Sequence, residues 1–436
     1  MLHRPPALLG KGGVFSARVH PRLKQILRGV KQESGLRREG ISRFNKRWRS
    51  WAIRTVRMQS LPRPVILTAD PALMDPEYLA TCMHRAACQN LKDADLWKGY
   101  VGRFIEISDQ VEAGHFGYLC WAVGKVQLPP QSGVHEALVS RGLALAPSMS
   151  GSGLMALLWT LRRAIVKPPH SLLQITADRI LNEPEKIRPS DFIRICNSLA
   201  FFGFGKNDHS FRDKISNAAM AKFEADTFAQ DFREAVDPIA LANLWNDEMR
   251  GYVLERFRKV FITARPNHLL KAYHSSVAVR VLAPQAWYHS VSEKTRGFYT
   301  SLAMRHIATP GRGMSKFHQS VSDLLAEAPF RLAHRNMFRW GPFFIDIGFD
   351  GDEEDSDVPT LPDDRKRCIL LDKPSSFYTN EPSKYTEKSR LEHLLLTEVG
   401  WDVVHLHHRA WKQSRTAEAK VALLRSVLEA KASDRL

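Results

Sequence analysis

The chain has 436 residues with a formal net charge of +17, and 44% of its residues are hydrophobic. This composition predicts a globular protein of roughly two or three domains, and it excludes a disordered chain, a collagen and a small disulfide-rich fold. The excess of positive charge favours polyanionic partners, namely nucleic acid or an anionic membrane surface.

Much of this charge lies in a basic leader, residues 1–60, which holds 15 lysines and arginines but only two acids, Glu33 and Glu39. An arginine-rich, acid-poor start is typical of an organelle-import presequence, whereas the lack of a long apolar core argues against a secretory signal. A retained arm that binds RNA is the alternative, and one segment can serve both purposes. We therefore predict a protein of the mitochondrial matrix with a transit peptide or a basic RNA-binding arm.

No segment of the sequence is predicted to span a membrane. The longest uncharged run, residues 142–161, is interrupted by Pro147 and by several glycines and serines. The five cysteines are irregularly spaced, and most of them lie in apolar helical patterns. They are therefore predicted to be buried free thiols in a reducing compartment.

Residues 61–310 are predicted to form an α-helical repeat domain. Asp75 and Asp237 each precede a proline, which places a capping oxygen before the first helical residue. Trp121 and Trp159 lie 38 residues apart in similar apolar helices, each followed by a Pro-Pro pair. A fixed period of this length with two helices in each unit is typical of an α-solenoid, in which the tryptophans are expected to be core residues.

Residues 311–436 are predicted to form a small α/β domain with one preceding helix, at residues 315–325. After that helix the apolar pattern changes from the period of helices to that of strands. The predicted fold is therefore mainly α, an α-solenoid followed by a small α/β domain. Strands are predicted at residues 343–348, 368–371 and 401–406, and helices at residues 386–400 and 416–428.

The C-terminal domain resembles the RAP domain, an RNA-binding module found mainly in organellar proteins and commonly preceded by helical repeats. The resemblance implies a fold related to that of restriction endonucleases. The motifs that carry it occur in the expected order: Phe344-Ile345-Asp346, Ile369-Leu370-Leu371-Asp372, Pro374-Ser375-Ser376-Phe377-Tyr378, Thr386-Glu387-Lys388-Ser389-Arg390, Gly400-Trp401-Asp402-Val403-Val404 and Trp411.

A nuclease of this fold needs carboxylates on its first and second strands, because oxygen atoms must hold one or two divalent cations. Asp346 and Asp372 stand at such positions. The resemblance implies an acid at position 370 and a glycine at position 373, but the chain has Leu370 and Lys373 there. The chain is therefore predicted not to be an enzyme, and the two aspartates are expected to cap loops or to pair with Lys373 or Arg390. They are the catalytic candidates only in the alternative, a metal-dependent RNA-processing endonuclease.

Three histidines at the end of the last predicted strand form another candidate cluster. Strand alternation places His405 and His407 on one face, with His408 directly after them, and two imidazoles can bind a metal ion. No cysteine or acid has a matching spacing, so these histidines are predicted to be solvated or to face RNA. The sequence predicts no metal site and no cofactor.

Basic residues interleaved with tyrosines are predicted to contact RNA. Ammonium, hydroxyl and amide groups bind phosphates and sugars, whereas tyrosine rings stack on bases. The alternative is that these charges only face solvent. The candidates in the polar loop of residues 372–385 and the helix after it are Lys373, Ser375, Tyr378, Asn380, Lys384, Tyr385, Lys388 and Arg390. Those in the repeats are Arg256, Arg258, Lys259 and Arg265.

Together these features predict an organellar RNA-binding protein whose partners are RNA and ribosomal or other organellar proteins. The resemblance and the basic leader favour mitochondrial ribosomal RNA, bound by a component or an assembly factor of the mitochondrial ribosome. Two alternatives remain, the endonuclease and a solenoid scaffold that binds protein.

Overall fold

The computed structural model describes residues 70–129, 132–225, 234–261, 266–303, 313–349 and 366–429. The basic leader and Arg265, on which two of the predictions depend, lie outside these residues. Within the described residues, helices predominate and one small sheet lies near the C-terminus, which confirms the mainly α fold class.

The repeat region contains twelve α-helices within the described residues. Their bounds are α1 Pro76–Cys88, α2 Ala94–Glu106, α3 Ala113–Val126, α4 Val134–Leu145, α5 Gly151–Ala164, α6 His170–Asn182, α7 Pro189–Phe201, α8 His209–Ala225, α9 Pro238–Asn243, α10 Asp247–Val260, α11 Pro266–Leu282 and α12 Glu293–Ala303.

These helices form two layers. Each odd-numbered helix from α1 to α11 packs against the next odd-numbered helix, and the even-numbered helices from α2 to α12 follow one another in the same way. One helical pair cannot bury its apolar face alone, so successive pairs share a continuous core. This is the arrangement that the period of the sequence predicts for a solenoid.

Local sequence explains how the helices begin and pack. Asp75 accepts the backbone N–H of Tyr78 at 2.8 Å, just before α1, a contact that stabilises a helix by about 1 kcal/mol. The Trp159 ring packs where a side chain on Gly124 would clash, since an added Cβ would lie 2.7 Å from it. Trp121 contacts the ring of His84 on the preceding odd-numbered helix. Both tryptophans are half-buried between neighbouring repeats rather than enclosed in the core.

The α/β domain adds four helices and four strands. The sheet has the order β1-β2-β3-β4, in which β1, β2 and β3 are antiparallel and β4 runs parallel to β3. Its core lies between the sheet and the helices α13 and α16. The bounds are α13 Lys316–Ala326, β1 Arg335–Trp340, β2 Phe343–Phe349, β3 Arg367–Asp372, α14 Glu387–Glu398, β4 Asp402–His407, α15 His408–Gln413 and α16 Ala417–Glu429.

The strand β1 is absent from the sequence prediction. It carries Arg335 and Arg339 among half-buried residues, so no clean alternation marks it. It pairs with β2 through a tight turn at Gly341, whose φ of +58° lies in the left-handed region that glycine adopts without strain. The Gly-Pro step between two aromatic runs is the signal that would have predicted this hairpin.

The described residues from 70 to 429 belong to one compact unit, in which the helices of the repeats and the α/β domain pack together. The contact is made chiefly by α14, which packs against α7, α9 and α11. Four of the five cysteines are buried free thiols, as predicted, whereas Cys88 is exposed. No helix among the described residues is long and apolar enough to cross a membrane.

Candidate RNA-binding site

The loop between β3 and α14 contacts the repeats through residues 378–380, here called the docking segment. The Thr379 backbone N–H donates to the carbonyl of Ile165 at 2.8 Å, and its hydroxyl donates to the carbonyl of Ala164 at 3.0 Å. Asn380 accepts the backbone N–H of Lys167 and donates to the carbonyl of the same residue, each at 2.8 Å. The docking segment is thus hydrogen-bonded to the backbone at and just after the end of α5.

Tyr378 makes the corresponding contact with α7. Its hydroxyl donates to the carbonyl of Phe201 at 2.8 Å, and its ring packs against the rings of Phe201 and Phe202. The residue is only 2% exposed, and burial raises the pKa of its hydroxyl well above the ordinary value. The last carbonyls of a helix have no partner within the helix, so α5 and α7 offer acceptors that the docking segment satisfies.

These contacts correct the prediction for Tyr378 and give Asn380 partners within the chain. Tyr378 cannot stack on a base in this arrangement, because both its ring and its hydroxyl are enclosed by α7. The amide of Asn380 is already bonded on both sides by Lys167. The loop that the resemblance presents as an RNA surface therefore contributes these two residues to an intramolecular interface.

Glu387, the first residue of α14, adds a charged contact to the same interface. Its carboxylate lies 3.3 Å from Lys206 Nζ and accepts from the Asn243 amide at 3.4 Å. Gly203 leaves room for it, since an added Cβ there would lie 3.0 Å from the carboxylate. An ion pair and hydrogen bonds thus hold α14 against the repeats.

Asp346 is engaged by its neighbours on β3. One carboxylate oxygen accepts the backbone N–H of Leu371 at 3.0 Å, and the other lies 3.5 Å from Lys373 Nζ. The Lys373 side chain is 44% exposed, so its ammonium group spans the carboxylate and solvent. This is the pairing with Lys373 that a structural role for Asp346 predicts.

Asp372 is buried and begins a chain of hydrogen-bonded, partly buried side chains. It accepts from Tyr385 through one oxygen and lies 3.0 Å from His405 Nδ1 through the other. His405 Nε2 in turn lies 2.9 Å from His393 Nδ1. Burial, together with the neighbouring His405, lowers the pKa of His393 to about 4, and burial raises the pKa of Tyr385 well above its ordinary value.

This chain corrects the prediction for His405, whose side chain is 7% exposed and is neither solvated nor placed to face RNA. His407 points elsewhere: its ring packs on Phe377, and its Nδ1 accepts the backbone N–H of Arg409. The sequence shows no acid near His405, because Asp372 meets it only through the parallel pairing of β3 and β4. The described residues include no group of three or more His, Cys, Asp or Glu placed to hold a metal ion.

The other candidates in the RAP domain lie at or near the surface. Lys384 is 61% exposed and pairs with Glu381 at 2.8 Å, and Arg390 lies 3.8 Å from Glu387. Tyr385 is half-buried against Phe377, with its hydroxyl bonded to Asp372. Ser375 and Lys388 are exposed. Their contact with RNA stays a prediction.

Arg256, Arg258 and Lys259, the described RNA-binding candidates of the repeats, differ in their exposure and partners. Arg258 donates to the Thr295 hydroxyl at 2.7 Å and lies 3.8 Å from Glu255, so it joins α10 to α12 and is not part of an open basic surface. Arg256 is half-buried and Lys259 is exposed. The structure therefore gives Arg258 a structural role, and the contact of these three residues with RNA stays a prediction.

The fold and the site define a helical-repeat protein with a C-terminal α/β domain that is docked on the repeats. Comparison with known families matches residues 369–427 to the RAP domain, so the chain carries a RAP domain in this region. The RAP domain is generally associated with RNA binding. No curated protein matches the chain.

Proposed function

We propose that this chain is a non-enzymatic RNA-binding protein of the mitochondrial matrix that binds ribosomal RNA, as a component or an assembly factor of the mitochondrial ribosome. The match of residues 369–427 to the RAP domain is the observation that carries the RNA-binding part. The basic leader supports the organelle and the polyanionic partner, since its composition suits both import and electrostatic contact with RNA.

The surroundings of Asp346 and Asp372 support the proposal that the protein is not a nuclease. Asp346 is bonded to the Leu371 backbone and to Lys373, and Asp372 to Tyr385 and His405. A divalent cation held by these carboxylates would have to displace an ammonium group from one and break buried hydrogen bonds of the other. Leucine at position 370 cannot supply a further oxygen.

The proposal is tested by sedimentation of the tagged full-length protein from mitochondrial lysates, followed by crosslinking and sequencing of the bound RNA. We expect the protein to sediment with one ribosomal subunit or its precursor, and the crosslinked reads to be mainly ribosomal. Removal of Mg²⁺ should shift the protein together with that subunit. Sedimentation at the top of the gradient with no enriched RNA would overturn the proposal.

A further inference from the structure

At the junction between the repeats and the RAP domain, each region carries an exposed lysine on one of two helices that pack together. Lys271 lies on α11, one turn before His274, and Lys388 lies on α14, which packs against α11. His274 links α11 to the sheet, because its ring packs against that of Phe343 on β2 with 5.1 Å between the ring centroids. The pKa of His274 is lowered chiefly by burial and further by the charge of Lys388, which lies nearby on α14. Lys271 and Lys388 are exposed.

The acids around these lysines are already neutralised or buried. Asp237, which interacts with the charge of Lys271, is buried and paired with Arg162 at 3.0 Å. Glu387 pairs with Lys206, and Asp346 with Lys373.

Glu392, one turn after Lys388 on α14, has a pKa that is raised chiefly by burial, whereas the nearby charges of Lys388 and Lys373 favour its charged form. The five basic side chains named around the junction outnumber its four acids, so its net charge is positive.

We propose that the sugar–phosphate backbone of single-stranded RNA binds across this junction, with Lys271 contacting phosphate from the repeats and Lys388 from the RAP domain. This inference rests on the proposed RNA-binding function and locates the contact. It places RNA beside the docking segment rather than on it. Because each region supplies one lysine, the docking contacts set the spacing of the two ammonium groups. RNA binding at this site therefore requires that the RAP domain is docked on the repeats.

The test compares two double variants of the full-length chain. Lys271→Gln with Lys388→Gln removes the junction charges, whereas Lys98→Gln with Lys214→Gln removes two exposed charges from the even-numbered helices α2 and α8. Lys373 is left unchanged, because it neutralises Asp346. Binding of a fluorescent single-stranded oligouridylate is measured by anisotropy over a range of salt concentrations. The leader is present in both variants, so its contribution cancels in the comparison.

The junction variant is expected to reduce the magnitude of the log–log salt slope by about 1.4, since each phosphate contact on a single strand contributes about 0.7. At 0.1 M salt this corresponds to binding weaker by on the order of tenfold, whereas the control variant should bind as the wild type does. Thermal melting checks that both variants are folded, and Lys271→Glu alone should weaken binding further than Lys271→Gln.

The outcomes separate the two proposals. If the wild type binds oligouridylate and the junction variant matches the control in slope and affinity, the junction is not the RNA surface and the RNA-binding function stands. If the wild type binds neither oligouridylate nor a pool of mixed-sequence RNA, both proposals fail.

Discussion

Partly buried imidazoles make the stability of the protein depend on pH. The pKa of His393 is lowered to about 4 from an ordinary value of 6.5, so the unfolded chain binds more protons between these values. The free energy of unfolding is therefore expected to fall as pH drops from about 6.5 to about 4, by on the order of 1–3 kcal/mol for this group. His274, whose pKa is also lowered to about 4 by burial, should act in the same direction.

Urea unfolding at pH 7 and pH 5 measures this effect. His393→Asn should lose less stability than the wild type over that interval, because asparagine does not titrate. His289→Asn, at an exposed position, is the matched control and should leave the pH dependence unchanged. Equal losses in the wild type and His393→Asn would contradict the assignment.

Asp346 provides the second prediction at this scale. Purified protein supplied with Mg²⁺ or Mn²⁺ is expected not to cut RNA, and Asp346→Asn is expected not to weaken RNA binding. The reason is that both oxygens of Asp346 already have partners within the domain. Gel analysis of labelled RNA measures cleavage. Metal-dependent cleavage that Asp346→Asn abolishes would instead establish the endonuclease.

At the scale of elements, the docking segment should contribute measurably to stability. Tyr378→Phe removes the hydroxyl that donates to Phe201 and leaves a buried carbonyl unsatisfied, which is expected to cost about 1–2 kcal/mol. Tyr288→Phe, at a residue that is 61% exposed, should change little. Midpoints of chemical unfolding compare the two variants. A Tyr378→Phe midpoint equal to that of Tyr288→Phe would show that the contact adds nothing.

The elements themselves were largely predictable, because caps, apolar periods and strand patterns are local. The docking interface was not, since Lys167 and Asn380 are 213 residues apart in the sequence. The loop that contains Tyr378 and Asn380 is polar and rich in turn residues, as an exposed loop would be. Likewise, the pairing of Asp372 with His405 depends on the register of β3 and β4, which no local pattern contains.

At the scale of the whole molecule, the leader should direct import. A fluorescent reporter fused to residues 1–60 is expected to enter mitochondria, because its arginine-rich composition suits the import machinery. The same leader with its arginines replaced by glutamine is the control and should leave the reporter in the cytosol. Imaging and protease protection measure the location. Cytosolic or nuclear reporter with the native leader would contradict the import function.

The docking segment also sets an order of events during synthesis. The chain grows from its N-terminus, so the ends of α5 and α7 leave the ribosome well before Tyr378 and Asn380 exist. At about 5–20 residues per second, the interval of 177 residues between Phe201 and Tyr378 takes roughly 9–35 s. Throughout that time the Phe201 and Phe202 side chains lack the ring that covers them. The repeats therefore emerge with an open aromatic surface that a chaperone can occupy until the last domain arrives.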